Sequence, residues 1–143
     1  QQKRSEVAAH LMEAIAEYDA LINKIVGEQL NVGSPKQMSE LFYTKLKLPI
    51  QKNRKTKRPT CDSPALQKIA EKEPLIKPLV DLIEKKRSLG VFLSTFCLMP
   101  LSPDGRMRCS FNVCGTETFR FSSSKDAFGT GGNLQNIPIG EEQ

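Results

Sequence analysis

Between Gly115 and Pro138 the chain is dense in hydroxyls and side-chain amides gathered around a single arginine. It reads Gly115-Thr116-Glu117-Thr118-Phe119-Arg120-Phe121-Ser122-Ser123-Ser124, passes through a glycine-rich loop, and resumes as Asn133-Leu134-Gln135-Asn136-Ile137-Pro138. Such groups supply the donors and acceptors that grip phosphates, sugars and base edges, so the stretch reads as a nucleic-acid contact surface. A second chemical feature lies upstream, where Lys52, Arg54, Lys55, Lys57 and Arg58 fall within seven residues. Three readings of that run stand on composition alone: a solvated charge run, a patch of the nuclear-localisation kind, or a tip that grips phosphates.

Other chemistries find less support. Ala127-Phe128-Gly129-Thr130-Gly131-Gly132 is followed by no G-K-[ST] and sits in no βαβ unit, so it is neither a P-loop nor a dinucleotide fingerprint. The cysteines at 61, 97, 109 and 114 show no C-x-x-C pairing, and the lone His10 completes no usual zinc set with them. They read as reduced thiols, with Cys97 and Cys109 in packed positions and His10 as an ordinary helix residue. The excess of 21 Lys+Arg over 16 Asp+Glu, a formal charge of +5, favours a polyanionic partner without naming one. With no secretory pattern and no run near ~18 apolar residues, the expectation is a soluble protein of a reducing, cytoplasmic setting with no membrane partner.

The elements that position these groups follow from periodicity. From about Arg4 to Leu30, Leu11, Ile15, Tyr18, Ile22 and Ile25 mark one face of a long helix, which Asn31-Val32-Gly33 should end. Ser34-Pro35 is a cap followed by a first-turn proline, opening a helix through Met38, Leu41, Phe42 and Leu46. Asp62-Ser63-Pro64 repeats that grammar for a helix to about Lys72. Glu73-Pro74 opens a longer one, striped by Leu75, Leu79, Leu82, Leu89, Leu93 and Phe96, interrupted by Lys86 and stopped at Pro100. Residues 49–60 join two of these antiparallel helices as an exposed, mobile loop, and that place at the end of an arm favours the phosphate-gripping reading.

After Pro100 the period changes from helical to alternating. Pro103-Asp104-Gly105 signals a turn, after which Met107, Cys109, Phe111 and Val113 alternate with Arg106, Arg108, Ser110 and Asn112. If the chain stays extended, Asn112, Thr116, Thr118 and Arg120 form one polar row seated on Phe119 and Phe121, because successive side chains of a strand point to opposite faces. An ordinary half-exposed strand explains the alternation equally well. The fold class expected is α+β: a helical, thumb-like arm of antiparallel helices, then a short antiparallel β segment.

Several ordered blocks resemble family A, or DNA polymerase I-like, DNA polymerases. Arg120-Phe121-Ser122-Ser123-Ser124 and Asn133-Leu134-Gln135-Asn136-Ile137-Pro138 are similar to the family's T-x-T-G-R-[LF]-S-S and N-L-Q-N-I-P. Ser34-Pro35-Lys36-Gln37-Met38 resembles S-P-K-Q-L at the thumb base, Arg87-Ser88-Leu89 with Ser94-Thr95-Phe96 resembles R-G-L…S-T-Y, and Ser110-Phe111-Asn112 resembles the strand that follows. The resemblance covers roughly residues 20 to 143. It implies a leading helix over 1–33, a thumb over 34–100 lying along the minor groove of primer–template DNA, and the start of the palm over 101–143, with a β hairpin and a DNA-contact loop. It implies DNA contact by Lys52, Asn53, Arg54, Lys55, Lys57 and Arg58 at the thumb tip, by Arg87 on a phosphate-contacting helix, and by Asn112, Thr118, Gln135 and Asn136 near the duplex. Arg120 would enter the minor groove at the primer terminus, where acceptors are nearly alike for every correct pair.

The departures have consequences. Phe119 replaces the glycine usual before the arginine, Val91 and Leu93 stand where many members carry lysines, and the loop from Lys125 to Gly132 is longer than the usual link. Two-metal polymerisation needs palm carboxylates, which in the family follow the N-L-Q-N-I-P block. The expectation is therefore a DNA-binding piece of a DNA-directed DNA polymerase, inactive alone, with no catalytic or metal-binding residue of its own. Mg2+ and dNTP would be used only with the missing palm and fingers, in one polypeptide or with a second polymerase chain. A bacterial or phage-infected cytoplasm is the implied setting, with an organelle as alternative. Two other classes stand beside it: a stand-alone nucleic-acid-binding module acting with a partner protein, and a protein-interaction domain whose long first helix docks to another helix.

Overall fold

The computed structural model describes residues 2–53, 55–115, 117–118, 120–125 and 132. Helices are followed by a two-stranded antiparallel sheet, which is the α+β arrangement expected. The chain divides into two compact units, Leu11–Gly90 and Gln1–His10 with Val91–Gln143. Among the described residues no helix is long and apolar enough to cross a membrane.

Helix α1 spans Gln2–Val26. It stops earlier than the expected Asn31–Gly33, because Gly27 takes φ 80°, a left-handed conformation that costs glycine little. The Gly27 N–H still closes onto the Asn23 carbonyl at 2.8 Å, and the Asn23 Oδ1 accepts from the Leu30 N–H at 2.9 Å, which turns the chain back toward the core. Ile22 is fully buried there, whereas Ile25 lies out in solvent and Val26 packs in its place.

Helix α2 (Pro35–Ser39) is capped as its sequence requires, with the Ser34 Oγ accepting from the Gln37 N–H at 3.5 Å. It widens into a π-helical segment, Glu40–Lys45, in which the Leu46 N–H reaches the Leu41 carbonyl five residues back, at 2.9 Å. That extra residue per turn rotates the apolar face. Met38, Leu41 and Phe42 stay buried, Leu46 is turned out, and Leu48 enters the core after Lys47 reverses the chain at φ 51°.

Helix α3 (Ser63–Lys72) starts at Asp62, whose Oδ1 accepts from the Ala65 N–H at 3.1 Å, and buries Leu66 and Ile69. A 3-10 turn, Pro74–Ile76, leads into α4 (Lys77–Phe92), which ends in a second π-helical segment, Leu93–Cys97. The expected stripe beginning at Leu75 is corrected. A 3-10 turn advances faster than an α-helix, so Leu75 falls out of phase and is 92% exposed. The core face of α4 is Leu79, Val80 and Ile83, with Leu82 packed at its edge. Lys86, which interrupts the apolar pattern, pairs with Asp19 of α1.

The hydrophobic core of Leu11–Gly90 joins Ile22, Val32, Met38, Phe42, Leu66, Ile69, Val80 and Ile83 with the thiol of Cys61. All four cysteines are free, but the buried one is Cys61; Cys97 and Cys109, expected to be packed, are half-buried.

In the other unit the Arg4 guanidinium donates to the carbonyl of the buried Met99, and a Cβ on Gly132 would stand 2.9 Å from the Met99 Sδ. Strands β1 (Ser110–Asn112) and β2 (Ser122–Ser124) pair antiparallel, with Ser110 opposite Ser124 and Asn112 opposite Ser122. The chain therefore doubles back after Asn112, and the single extended row from Asn112 to Arg120 does not form. Phe111 and Val113, expected on an apolar underside, are 57% and 60% exposed.

The corrected register of α4 has a measurable consequence. Ile83→Ala should destabilise the protein by about 2–5 kcal/mol in denaturant unfolding, whereas Leu75→Ala should stay within about 0.5 kcal/mol of the parent.

Candidate nucleic-acid interface

The basic run is built as a hairpin. Lys52 and Pro59 form an isolated antiparallel bridge, flanked by the Thr60 N–H on the Gln51 carbonyl and the Asn53 N–H on the Arg58 carbonyl, both at 2.9 Å. Pro59 has no N–H to offer, and it stands at the position of the bridge where none is needed. The tip is closed by Asn53, whose Oδ1 accepts from the Lys55 N–H at 2.9 Å and the Thr56 N–H at 3.2 Å, the local bonding that favours asparagine in turns. Lys57 takes φ 58° and donates its N–H to the Asn53 carbonyl at 2.9 Å. The expected loop is thus exposed, as charge repulsion requires, but among its described residues the backbone is hydrogen-bonded at the base, between Gln51 and Thr60, and at the tip around Asn53.

Lys52, Lys55, Lys57 and Arg58 are all exposed on this hairpin. Arg54 lies outside the described residues. Ion pairs occur elsewhere: Lys45 with Glu28, Lys86 with Asp19, and Asp104 with Arg106 and Arg108. Beside the hairpin an open groove of about 500 Å³ runs to the start of α3, lined by Lys52, Lys55, Lys68 and one acid, Asp62. Lys68 was not singled out from sequence. Only the spacing that puts it on the exposed side of α3, away from Leu66 and Ile69, pointed to it.

The hairpin is fixed at its base. The Tyr43 hydroxyl donates to the Thr60 carbonyl and accepts from the Gln51 N–H at 3.3 Å. Burial pushes the Tyr43 phenol up to about 12, opposed by its bond to the Gln51 backbone, so it remains a neutral donor at ordinary pH. Arg87, expected on phosphate, turns inward: its guanidinium donates to the Cys61 carbonyl at 2.8 Å and to the Val32 carbonyl at 3.1 Å. One arginine of α4 thereby ties the hairpin's exit to the segment leading into α2.

In the second unit Asn112 is exposed on β1, and its Oδ1 accepts from the Cys114 N–H at 3.1 Å as the chain leaves the strand. Gly115 lies so close to the Ser122 Oγ that a Cβ there would collide with it, and would also stand 3.2 Å from the Asn112 side chain. Thr118 and Arg120 are exposed in the connection between β1 and β2. Gln135 and Asn136 lie outside the described residues, as does Phe119. The structure thus brings Lys52, Asn53, Lys55, Lys57 and Arg58 onto one hairpin, places Arg87 behind it, and puts Asn112, Thr118 and Arg120 on the other unit.

Ahead of β1, the Gly105 N–H closes a turn onto the Ser102 carbonyl at 2.8 Å, with Gly105 at φ 75°. The Arg108 guanidinium is the main cause that holds the Asp104 carboxyl below the usual carboxylate range, aided by the Arg106 N–H at 3.3 Å. Among the described residues no three of His, Cys, Asp and Glu gather to hold a metal ion.

A family model described as DNA polymerase family A matches residues 1–143. DNA polymerase I of Bacillus subtilis (strain 168) is 36% identical over 133 residues, covering 90% of this chain and 14% of that protein. DNA polymerase I of Caldicellulosiruptor bescii is 35% identical over 129 residues, with 87% and 14% covered. The chain thus spans about a seventh of the length of these relatives. Among solved structures, the POL domain of Pol1 from M. smegmatis, in complex with DNA primer-template and dNTP, matches with a TM-score of 0.73 at 28% identity. That match covers 95% of this chain and 23% of the other.

A depressed carboxyl gives stability that is present above its unfolded pKa and lost as pH falls through the folded value. An NMR titration of Asp104 should accordingly show a midpoint below that of a free aspartate, and Arg108→Gln should move it back up.

Proposed function

This chain belongs to DNA polymerase family A, and we propose that it grips primer–template DNA as the thumb and the beginning of the palm of a DNA-directed DNA polymerase. In this reading residues 1–33 lead in, 34–100 are the thumb and 101–143 open the palm. The observation that carries it is the hydrogen-bonded hairpin with Lys52, Lys55, Lys57 and Arg58 exposed beside a groove that also takes in Lys68. The relative solved with DNA primer-template and dNTP supports the choice of partner.

The physical basis is counterion release. Each phosphate met by a lysine or arginine frees condensed cations, so log K falls with log salt by about 0.9 per phosphate, or near −3.6 for roughly four phosphates met by the hairpin. Such pairing positions the protein without reading sequence. Asn53 shapes the tip through its Oδ1, which accepts from two backbone N–H groups, and its Nδ2 is the donor it offers to a phosphate. Arg87, with two donors on carbonyls, supports the hairpin from behind. Arg54 completes the tip's charge.

Arg120 is proposed to enter the minor groove at the primer terminus, where one donor can test pair shape for any correct pair. Asn112, Thr118, Gln135 and Asn136 would line the duplex near it. Magnesium ions supply the Lewis-acid chemistry of phosphoryl transfer when bound. Of the described acids, Asp19 and Glu28 pair with lysines, Asp62 caps α3 and Asp104 holds two arginines, and among the described residues no three of His, Cys, Asp and Glu gather to hold a metal ion. The metal ligands and the dNTP-binding groups are therefore proposed to lie on other residues of the polymerase.

Replacing Lys52, Lys55, Lys57 and Arg58 together by Gln should weaken duplex binding for all sequences alike and flatten the salt slope by about 0.9 for each phosphate no longer neutralised. A loss confined to certain sequences would mean that the hairpin reads bases. In the complete polymerase Arg120→Ala should slow primer extension by roughly 10- to 100-fold, the range for one charged hydrogen bond, with a smaller effect on duplex affinity. An unchanged extension rate in single-turnover assays contradicts the primer-terminus role.

A further inference from the structure

Opposed residues of a hydrogen-bonded antiparallel pair normally exchange two N–H···O bonds. Gln51 and Thr60 occupy that relation, flanking the Lys52–Pro59 bridge, and make one of the two directly: the Thr60 N–H reaches the Gln51 carbonyl at 2.9 Å. The reciprocal bond is replaced by a side chain. The Gln51 N–H donates to the Tyr43 hydroxyl at 3.3 Å, and that hydroxyl donates onward to the Thr60 carbonyl. A phenol carried by the π-helical segment Glu40–Lys45, with its ring packed against the core, is thus inserted into the ladder of the basic hairpin.

We infer that Tyr43 is a positioning residue for the hairpin, its hydroxyl fixing how Lys52, Lys55, Lys57 and Arg58 are presented to duplex DNA. The inference rests on the reading of the hairpin as a phosphate grip. Two short strands that carry like charges resist closure and are marginal without outside support. The phenol opposes that fraying at the end where the hairpin meets the helices, and Arg87 holds the next carbonyl, that of Cys61. A backbone ordered before binding loses less freedom when its lysines meet phosphates, so the anchor is expressed as affinity.

The test is Tyr43→Phe in the full-length protein, which keeps the ring and deletes both hydrogen bonds. Its reference is the four-Gln hairpin variant. Read-outs are amide exchange at Asn53, Lys57 and Thr60, and duplex Kd measured against salt. The expected result is exchange at Asn53 and Thr60 and Kd at low salt each raised by about 2- to 10-fold, with a shallower salt slope. Combining Tyr43→Phe with the four-Gln variant should add no further loss of affinity, since the phenol acts only through those cations. If the four-Gln variant loses affinity while Tyr43→Phe keeps the parent Kd and slope, the positioning role is overturned and the phosphate grip stands. An additive loss in the combined variant also overturns it, because Tyr43 would then act elsewhere. A four-Gln variant that binds like the parent removes the grip itself, and the inference with it.

Discussion

Like charges held close together repel, and every feature around residues 51–60 answers that constraint. Among the described residues four exposed cations, Lys52, Lys55, Lys57 and Arg58, lie on a hairpin whose own ladder is one bridge long, so the backbone needs support beyond that bridge. Tyr43 supplies a hydroxyl between the two strands, Arg87 a guanidinium on the Cys61 carbonyl, and Asn53 a turn at the tip. Tyr43 packs against a core built on Ile22, Met38, Phe42, Leu66, Ile69 and Ile83. The charge is thus displayed by a scaffold that is itself apolar, and the π-helical segment Glu40–Lys45 matters because it decides which of its side chains that scaffold turns inward.

Arg87 illustrates how a residue type can suggest one role and its surroundings another. An arginine on a helix near a basic loop invites a phosphate contact, and its planar fork suits one. Here the fork instead bridges two carbonyls that come from chain segments on either side of α2 and the hairpin, Val32 and Cys61. A buried or half-buried carbonyl needs a donor, and an arginine can satisfy two at once. The same bonds that hold Arg87 on two carbonyls give the hairpin a fixed point of exit.

Much of the helical part was legible in the sequence. Ser34-Pro35 and Asp62-Ser63-Pro64 carry their caps in adjacent residues, and both helices start where those signals stand. What escaped was set by geometry that spacing does not encode. Gly27 stopped α1 before the more conspicuous Asn31-Val32-Gly33, a π-helical turn exchanged Leu46 for Leu48, and a 3-10 turn put Leu75 out of phase with Ile83. Of the alternating stretch after Arg106 only Ser110–Asn112 forms a strand; parity cannot detect a reversal, and Asn112 pairs back onto Ser122 while Gly115 closely approaches the Ser122 side chain. Tyr43 was invisible as an anchor because its acceptor, Thr60, lies 17 residues away. Arg54, Gln135 and Asn136 lie outside the described residues, so their part in the interface stays with the family pattern.

Whether the hairpin is where this polymerase-family chain meets the DNA backbone is decided most directly by a structure of the full-length protein with primer–template duplex. Phosphate oxygens are expected within about 3.2 Å of the terminal nitrogens of several of Lys52, Lys55, Lys57 and Arg58, with the Tyr43 hydroxyl still between Gln51 and Thr60. A duplex bound elsewhere, with those four side chains directed into solvent, would contradict the phosphate grip.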